Sequence, residues 1–161
     1  MKKHGPLLIL CINRGNMFSI NNEINNIKFS IIDIHDFSID SEQYSEYDKS
    51  FTFNIELTLK NGFFNVFNCE FYYFELSDFV DNILDIINNV SHKCLFTDER
   101  NIINISFKKI KNSSDISVHY KLFEYFDSDC YITGIFIISK EKLYDIINDI
   151  KPYLLEKKAS T

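Results

Sequence analysis

The sequence lacks tryptophan and is poor in the residues that favour helices and turns. Its 161 residues include 4 Gly, 2 Pro and a single alanine, Ala159, against 16 Phe and 9 Tyr. Alanine is the best helix former, whereas Phe, Tyr and Ile favour strands, so this composition indicates a fold rich in β-sheet. No segment reaches the roughly 18 consecutive apolar residues of a membrane span, and we expect no membrane partner.

Motifs of known catalytic and metal centres are also missing. The chain has no C-x-x-C pair, no H-E-x-x-H, no G-x-S-x-G and no glycine-rich phosphate loop. His119 falls on the polar face of a predicted strand and is expected to be solvated. Asp33 and Asp36 cannot both flank His35 on a regular strand, because neighbouring side chains point to opposite faces. We therefore expect no catalytic residues, no metal, no cofactor and no enzymatic activity.

The cysteines are far apart in the sequence: Cys11, Cys69, Cys94 and Cys130. Each is expected to be a reduced, buried thiol in a cytoplasmic protein. The apolar stretch 6–12 resembles a short signal segment ending at Cys11, but no small-residue cleavage site follows it. We expect residues 1–16 to form either a strand or an N-terminal extension before Met17.

Alternation of polar and apolar residues predicts most of the secondary structure. The predicted strands cover 27–34, 51–59, 63–74, 93–97, 102–107, 116–122 and 131–138. Asn61-Gly62 predicts a hairpin, and the aromatic residues on both faces of 63–74 predict a central strand. Because short turns join most strands, we expect a single α+β domain over 1–161 with a frayed tail at 157–161. Its architecture is predicted as a mostly antiparallel β-sheet with two helices packed on one face.

Apolar residues at helical spacing predict the two helices. The first is expected to begin at Asp78 after a Ser77 cap, and its inner face consists of Phe79, Val80, Ile83, Ile86, Ile87 and Val90. Its acidic row indicates a solvated face and comprises Asp78, Asp81 and Asp85. The second is expected to follow a Ser139 cap, with the inner face Leu143, Ile146, Ile147, Ile150 and Leu154. Pro152 is expected to bend or end it.

Negative charge is concentrated in one segment. The chain has 17 basic and 23 acidic side chains, a formal net charge of −6, which disfavours nucleic acid as a partner. Residues 33–48 contain six carboxylates and no Lys or Arg, so the remainder of the chain is formally neutral. Phe37, Tyr44 and Tyr47 lie among these carboxylates. The polar stretch 38–50 predicts a long loop.

Acidic groups around exposed aromatic rings are typical of a surface that binds a basic protein, because rings supply contact area and charge steers encounter. A second cluster, Glu124 to Asp129, would extend this surface if the fold brings the two together. The candidate partner-binding residues are Asp36, Asp40, Glu42, Tyr44, Glu46, Tyr47, Asp48, Glu124, Asp127 and Asp129. The alternative is a solvated loop whose charges aid solubility.

The layout from Met17 to Leu155 resembles the WapI-type immunity proteins, small cytosolic antitoxins of bacterial polymorphic and contact-dependent toxin systems. The resemblance rests on the order of an aromatic run, a helix, strand pairs and a final strand that leads into a helix. In this sequence these are FNCEFYYFE, SDFVDNILDIINNV, FTDERNIINISFKK, SVHYKLFEYF, YITGIFIISK and EKLYDIINDIKPYLL.

The resemblance implies inhibition of a cognate toxin domain by tight binding in the cytoplasm. We expect the chain to be a monomer or a weak homodimer. If the toxin is a nuclease, its site is basic, and an acidic aromatic surface complements it. Two alternatives stay open. One is a small-molecule-binding domain, favoured if the hydroxyls of Tyr72, Tyr73, Tyr120 or Tyr131 converge in an apolar cavity. The other is a structural or assembly subunit that pairs through an exposed edge strand.

Overall fold

The computed structural model describes residues 15–36 and 49–155. This part of the chain folds into eight strands and two helices. They are β1 (Asn16–Asn21), β2 (Asn26–Asp36), β3 (Lys49–Leu59), β4 (Gly62–Tyr72), α1 (Tyr73–Ile87), β5 (Lys93–Thr97), β6 (Ile103–Lys109), β7 (Ile116–Phe123), β8 (Tyr131–Ile138) and α2 (Lys140–Leu155). The order of four strands followed by a helix therefore occurs twice.

Each group of four strands forms an antiparallel sheet in which strands adjacent in sequence pair with each other. The predicted α+β class, with antiparallel strands and two helices, is confirmed. The strands are divided between a first sheet (β1 to β4) and a second sheet (β5 to β8), because α1 separates β4 from β5. α1 packs on β5, and α2 packs on α1 and β1.

Phe96 of β5 lies where the two sheets and α1 meet. It is 2% exposed, and its ring stacks on Phe79 of α1 and Phe71 of β4, with centroids 4.0 and 4.6 Å apart. Phe18 and Phe29 of the first sheet pack on it at 6.2 and 5.8 Å. One ring of the second sheet therefore contacts the inner face of the first, and both sheets share a core.

A β-bulge in β4 explains why its aromatic residues occupy both alternating positions. One extra residue lies between the pairs Phe53–Cys69 and Ile55–Val66, and Asn68 there has a φ of 54°. The extra residue reverses the alternation, so Val66 before it and Cys69 after it both face the core.

β4 is an edge strand, so the prediction of a central strand is wrong. Its apolar residues at both parities come from the bulge and not from a covered second face, and Phe63 and Phe67 are exposed. The neighbouring hairpin is confirmed: Leu59 pairs with Gly62 across the two-residue turn Lys60-Asn61.

Two further bulges lie in the first sheet. β2 has the extra residue Ile32, at the point where its alternation becomes continuous. β1, which the sequence pattern did not predict, has an extra residue between Asn16 and Phe18, so Met17 and Phe18 are both buried. Pairing in the second sheet runs without a register shift.

α1 begins five residues earlier than predicted. The Glu75 carboxylate accepts a hydrogen bond from the Tyr72 backbone N–H at 2.7 Å, which lets the helix start at Tyr73 without a Ser77 cap. At the other end, Asn89 has a φ of 60° and the Val90 N–H bonds the Asp85 carbonyl. This left-handed closing turn ends the helix before Val90, which is therefore exposed and not part of the inner face.

α2 follows Ser139 as predicted, and its first four inner-face residues are buried, with Leu154 partly buried. The Ser139 hydroxyl makes no hydrogen bond within the described residues, so the side-chain cap is not formed. Pro152 does not end the helix, which continues to Leu155. A proline in the last turn removes one hydrogen bond, which a helix end tolerates.

Three of the cysteines lie in the described part of the chain, and all are free thiols. Cys69 and Cys94 are buried as predicted, and burial raises the pKa of Cys94 to about 12. Cys130 is exposed, which contradicts the prediction, because it lies in the turn that precedes β8 and not within a strand. Cys11 is outside the described residues.

Candidate protein-binding site

The β7–β8 turn, residues 124–130, contains the second predicted acid–aromatic cluster. Its ends are joined by the Glu124 N–H bonded to the Cys130 carbonyl at 3.0 Å. Buried Ser128 accepts a hydrogen bond from the Cys130 N–H on its hydroxyl, and its own N–H bonds the Tyr125 carbonyl. Asp127 has a φ of 61°, a conformation that Asp adopts more readily than most residues. These bonds hold the turn in one shape.

The turn is also attached to its surroundings on two sides. The Glu124 carbonyl accepts a hydrogen bond at 3.4 Å from the N–H of Phe67, beside the β4 bulge. The Phe123 N–H bonds the Ile102 carbonyl at 2.9 Å. The β4 bulge thus places the exposed edge of the first sheet against the β7–β8 turn of the second sheet.

Aromatic side chains of this turn face solvent. Tyr125, Phe126 and Tyr131 are 55%, 50% and 53% exposed. Tyr131 is the first residue of β8 and packs beside Phe123, with ring centroids 5.3 Å apart. A group of large rings in water is costly for a free protein and is typical of a binding surface.

Two cations lie on these rings. Lys121 Nζ is 4.9 Å from the Phe123 ring centroid and 4.5 Å from that of Tyr131. The Arg100 guanidinium carbon is 5.5 Å from the Phe126 centroid. Cation–π contacts of this kind restrict the rings while leaving much of their surface open.

Arg100 is positioned by a loop built around a buried carboxylate. Asp98 is buried, and its Oδ1 accepts a hydrogen bond from the Ile103 N–H at 2.9 Å. Burial raises the pKa of Asp98, an effect that backbone N–H groups of Ile103, Arg100 and Ile102 oppose. Asn101 closes the loop at a φ of 54°.

These groups surround a surface cleft of about 560 Å³. Its lining consists of Arg100, Asn101, Ile102, Asn104, Lys121, Phe123, Tyr125, Phe126, Asp127, Ser128 and Asp129. Two cations and two carboxylates give this lining no formal net charge. It can therefore accept a side chain of a partner protein among rings, with charges of both signs available at the rim.

The structure places four of the ten predicted partner-binding residues. Asp127 and Asp129 are exposed in the cleft, and Glu124 is half-buried beside it. Asp36 is exposed at the end of β2, opposite Lys49. The others lie outside the described residues and stay predictions: Asp40, Glu42, Tyr44, Glu46, Tyr47 and Asp48.

Asp36 does not lie next to the β7–β8 turn. Its partner Lys49 is five residues along β3 from Asn54, whose side chain bonds the Asn68 N–H at the β4 bulge. With about 3.3 Å per residue and about 4.8 Å between strands, Asp36 is roughly 20 Å from Glu124. Within the described residues, the start of the acidic segment and the second cluster are thus separate surfaces.

The partners of the rings were not predicted from the sequence. Arg100 and Lys121 reach the turn from the β5–β6 loop and from β7, and no local pattern marks them. The cluster Glu124 to Asp129 is visible in the sequence. Lys121 lies beside Phe123 and Tyr131 because of the register of β7 and β8, and Arg100 lies over Phe126 from a loop between two other strands.

A second group of titratable residues lies at the β4–α1 junction. Burial raises the pKa of Glu75 to about 7; the Tyr72 N–H opposes this, and the nearby carboxylates Glu99, Asp98 and Glu70 add to it. Burial also raises the pKa of the Cys69 thiol. The inert thiol and the helix-capping role of Glu75 favour a structural role for this group.

The tyrosines named for a ligand cavity do not converge. Tyr120 is buried on the inner face of the second sheet, whereas Tyr131 is on its outer face. The Tyr73 hydroxyl donates to the Leu154 carbonyl at 2.5 Å, and Tyr72 stacks on Phe74. The arrangement expected for a small-molecule site therefore does not occur.

Among residues 15–36 and 49–155, no three His, Cys, Asp or Glu side chains are grouped so as to hold a metal ion. In the same ranges neither helix has the length and apolar character needed to cross a membrane. His35 lies 3.8 Å from an oxygen of Asp33, and His119 lies near the Ser117 hydroxyl.

Comparison of the chain with protein-family models, with curated proteins and with solved structures gives no match.

Proposed function

We propose that this chain is an immunity protein that neutralises a cognate bacterial toxin domain in the cytoplasm by binding it, without catalysis of its own. The proposal combines the resemblance to WapI-type immunity proteins with the surface at the β7–β8 turn. The binding residues are proposed to be Tyr125, Phe126 and Tyr131, with Asp127 and Asp129 at the rim.

The observation that supports the proposal most is that exposed rings are carried by an ordered turn. Tyr125 and Phe126 are half exposed, yet the turn that holds them is fixed by four hydrogen bonds. Rigid aromatic side chains lose little conformational entropy on binding, so they are effective contact residues. A solvated, merely connecting turn requires neither the rings nor the cations on them.

The charges give the surface specificity more than strength. Asp127 and Asp129 are exposed and suit a partner with basic groups, while Arg100 and Lys121 suit its acidic groups. Charges at a rim set the orientation of the partner and its association rate. Because the lining has no formal net charge, we expect binding here to depend only weakly on salt.

The test begins with the C-terminal domain of a large secreted protein encoded beside this chain. This domain should be toxic when expressed alone, and co-expression of the chain should restore growth and give a complex that co-purifies. Replacing Tyr125 and Phe126 together with alanine should weaken binding at least about 30-fold and abolish protection, because the loss of even one hot-spot side chain worth about 2 kcal/mol lowers affinity by about that factor.

The matched control is Tyr144→Ala, which removes a ring of α2 that is 47% exposed and lies away from the turn. Both variants should keep the thermal unfolding midpoint of the parent, because exposed side chains contribute little to stability. Equal affinity of the double variant and the control, with folding retained, would refute the assignment of the surface. A neighbouring domain that is not toxic, or is not bound, would refute the function itself.

A further inference from the structure

A second cleft, of about 830 Å³, lies at the opposite end of β7 from the aromatic turn. It is formed where the end of α1, the β6–β7 turn and the start of α2 meet. Its lining consists of Ile86, Asn89, His92, Lys109, Ile110, Lys111, Asn112, Ser113, Ser114, Ile116 and Lys140. The size is that of a site for a small organic molecule.

The lining of this cleft is basic in a chain whose net charge is −6. Three lysines from separate elements line it, and no carboxylate does. Lys109 is held by a hydrogen bond from its ammonium to the Asn89 side-chain oxygen at the end of α1. Lys111 and Lys140 have no ion pair within the described residues, whereas the nearby Lys142 lies 4.0 Å from Asp145.

Lys140 stands at an electrostatically unfavourable position. It is the first residue of the 16-residue helix α2, where the helix dipole favours negative charge, and Glu141 is the acidic residue of that first turn. The Ser139 hydroxyl does not cap this end within the described part of the chain. An anion in the cleft would offset both the ammonium and the positive end of the helix.

The shape of the cleft favours an anion attached to an organic group. Buried Ile86 and Ile116 close its floor, and half-buried Ile110 gives it an apolar side. The turn that carries Lys111 is held by its own hydrogen bonds, from the Ile110 N–H to the Asp115 carbonyl and from the Asp115 N–H to the Ser113 hydroxyl. The backbone of the turn is therefore ordered before a ligand arrives.

We propose that this cleft binds a small phosphorylated molecule. Lys111 and Lys140 would contact the phosphate from two sides, and the serine hydroxyls of the turn supply further donors. The organic part would lie against Ile110. A phosphate suits this arrangement because its oxygens accept several hydrogen bonds from different directions. Lys111 lies in the β6–β7 turn and Lys140 at the start of α2, so the two ammonium groups approach the cleft from different elements.

Calorimetric titration with inorganic pyrophosphate tests the proposal on the whole chain. One pyrophosphate should bind per chain, and it should raise the unfolding midpoint above that in sodium chloride of equal ionic strength. Lys111→Gln and Lys140→Gln should each raise the dissociation constant about tenfold, as expected for a lost charged hydrogen bond. Lys140→Gln should also raise the midpoint without pyrophosphate, because it removes a cation from the start of a helix.

Lys60→Gln is the matched control, since it makes the same charge change at an exposed lysine of the β3–β4 turn. It should alter the dissociation constant by no more than roughly twofold, because distant surface charges are screened by salt. Absence of saturable binding, or an equal loss in the control, would overturn the proposal. Tighter binding of a single-stranded oligonucleotide through the same lysines would also overturn it, in favour of a nucleic-acid surface.

Discussion

Replacing Phe96 with alanine should be among the most destabilising single changes in this chain. The ring is 2% exposed and contacts Phe71 and Phe79 face to face, so its loss removes contacts of the second sheet with both the first sheet and α1. Truncating a buried Phe costs about 3–5 kcal/mol, and stacked pairs add to the burial term. We therefore expect a loss near the upper end, about 4–5 kcal/mol.

Such a loss is a large part of the total stability of a domain, which is typically about 5–15 kcal/mol. Urea unfolding followed by circular dichroism should show a lower midpoint with an unchanged slope, and the thermal midpoint should fall by roughly 8–20 °C for a chain of this length. A single transition is expected for the parent and for Phe96→Ala, since the two sheets share one core.

Leu95→Ala is the control, because Leu95 precedes Phe96 on β5 and points to the opposite face, where it is 58% exposed. Its loss should cost less than about 0.5 kcal/mol. A cost below about 1.5 kcal/mol for Phe96→Ala, or an equal cost for the two variants, would refute both the shared core and the assignment of Phe96 to the inner face of β5. Two separate transitions in the parent would refute it as well.

Two further predictions concern single residues of the fold. Gly134→Ala should cost about 1–3 kcal/mol, because an added Cβ would overlap the buried ring of Tyr120. Gly62→Ala is its control and should be nearly neutral, because a Cβ there would meet no atom within 4 Å. Denaturant midpoints of both variants check this, and equal costs would contradict it. The pKa of Glu75 is raised to about 7 by burial, against the opposing Tyr72 N–H, while the unfolded carboxyl titrates near its usual value of about 4.3. Between these two pKa values the folded chain holds a proton that the unfolded chain has lost. The free energy of unfolding should therefore be highest below the unfolded pKa and fall by about 1–2 kcal/mol as the pH rises to about 7 and just beyond. This figure allows for screening by solvent, because the carboxyl is only half-buried. Glu75→Gln should remove most of this decline, and an unchanged pH profile of its unfolding free energy would contradict the account.

Much of the second sheet could be predicted from the sequence because its pairing is regular. The alternation in 116–122 and 131–138 continues through β7 and β8, which pair without a register shift. The first sheet was harder, since its strands contain bulges. Each bulge puts apolar residues at consecutive positions, as at Ile32, so a two-residue period breaks where the strand itself continues.

The boundary between β4 and α1 shows a different limit of sequence patterns. The run Tyr72 to Phe74 suits either structure, and Ser77 is the residue type that most often caps a helix. The Glu75 side chain bonds the Tyr72 N–H instead, and the helix begins five residues earlier. The two possible capping positions are Tyr72 and Ser77. Leu76 lies between them and is buried in the core, which favours the earlier helix start because the helix then includes it.

For the candidate site, the sequence predicted the turn but not its environment. The acid–aromatic cluster 124–129 is visible as a local run, whereas Arg100 and Lys121 reach it from other elements. Contacts between distant segments depend on strand register and on the β4 bulge, and one sequence does not encode these as a local pattern. The turn is accordingly a mixed-charge surface and not a purely acidic one.

Hydrogen exchange of the chain with and without its bound toxin domain tests the central claim most directly. Binding at the aromatic turn should slow exchange of the backbone amides of residues 123–131, while the β3–β4 turn at Lys60-Asn61 should exchange at its free rate. Slower exchange confined to other surfaces, with residues 123–131 unchanged in the complex, would contradict the account.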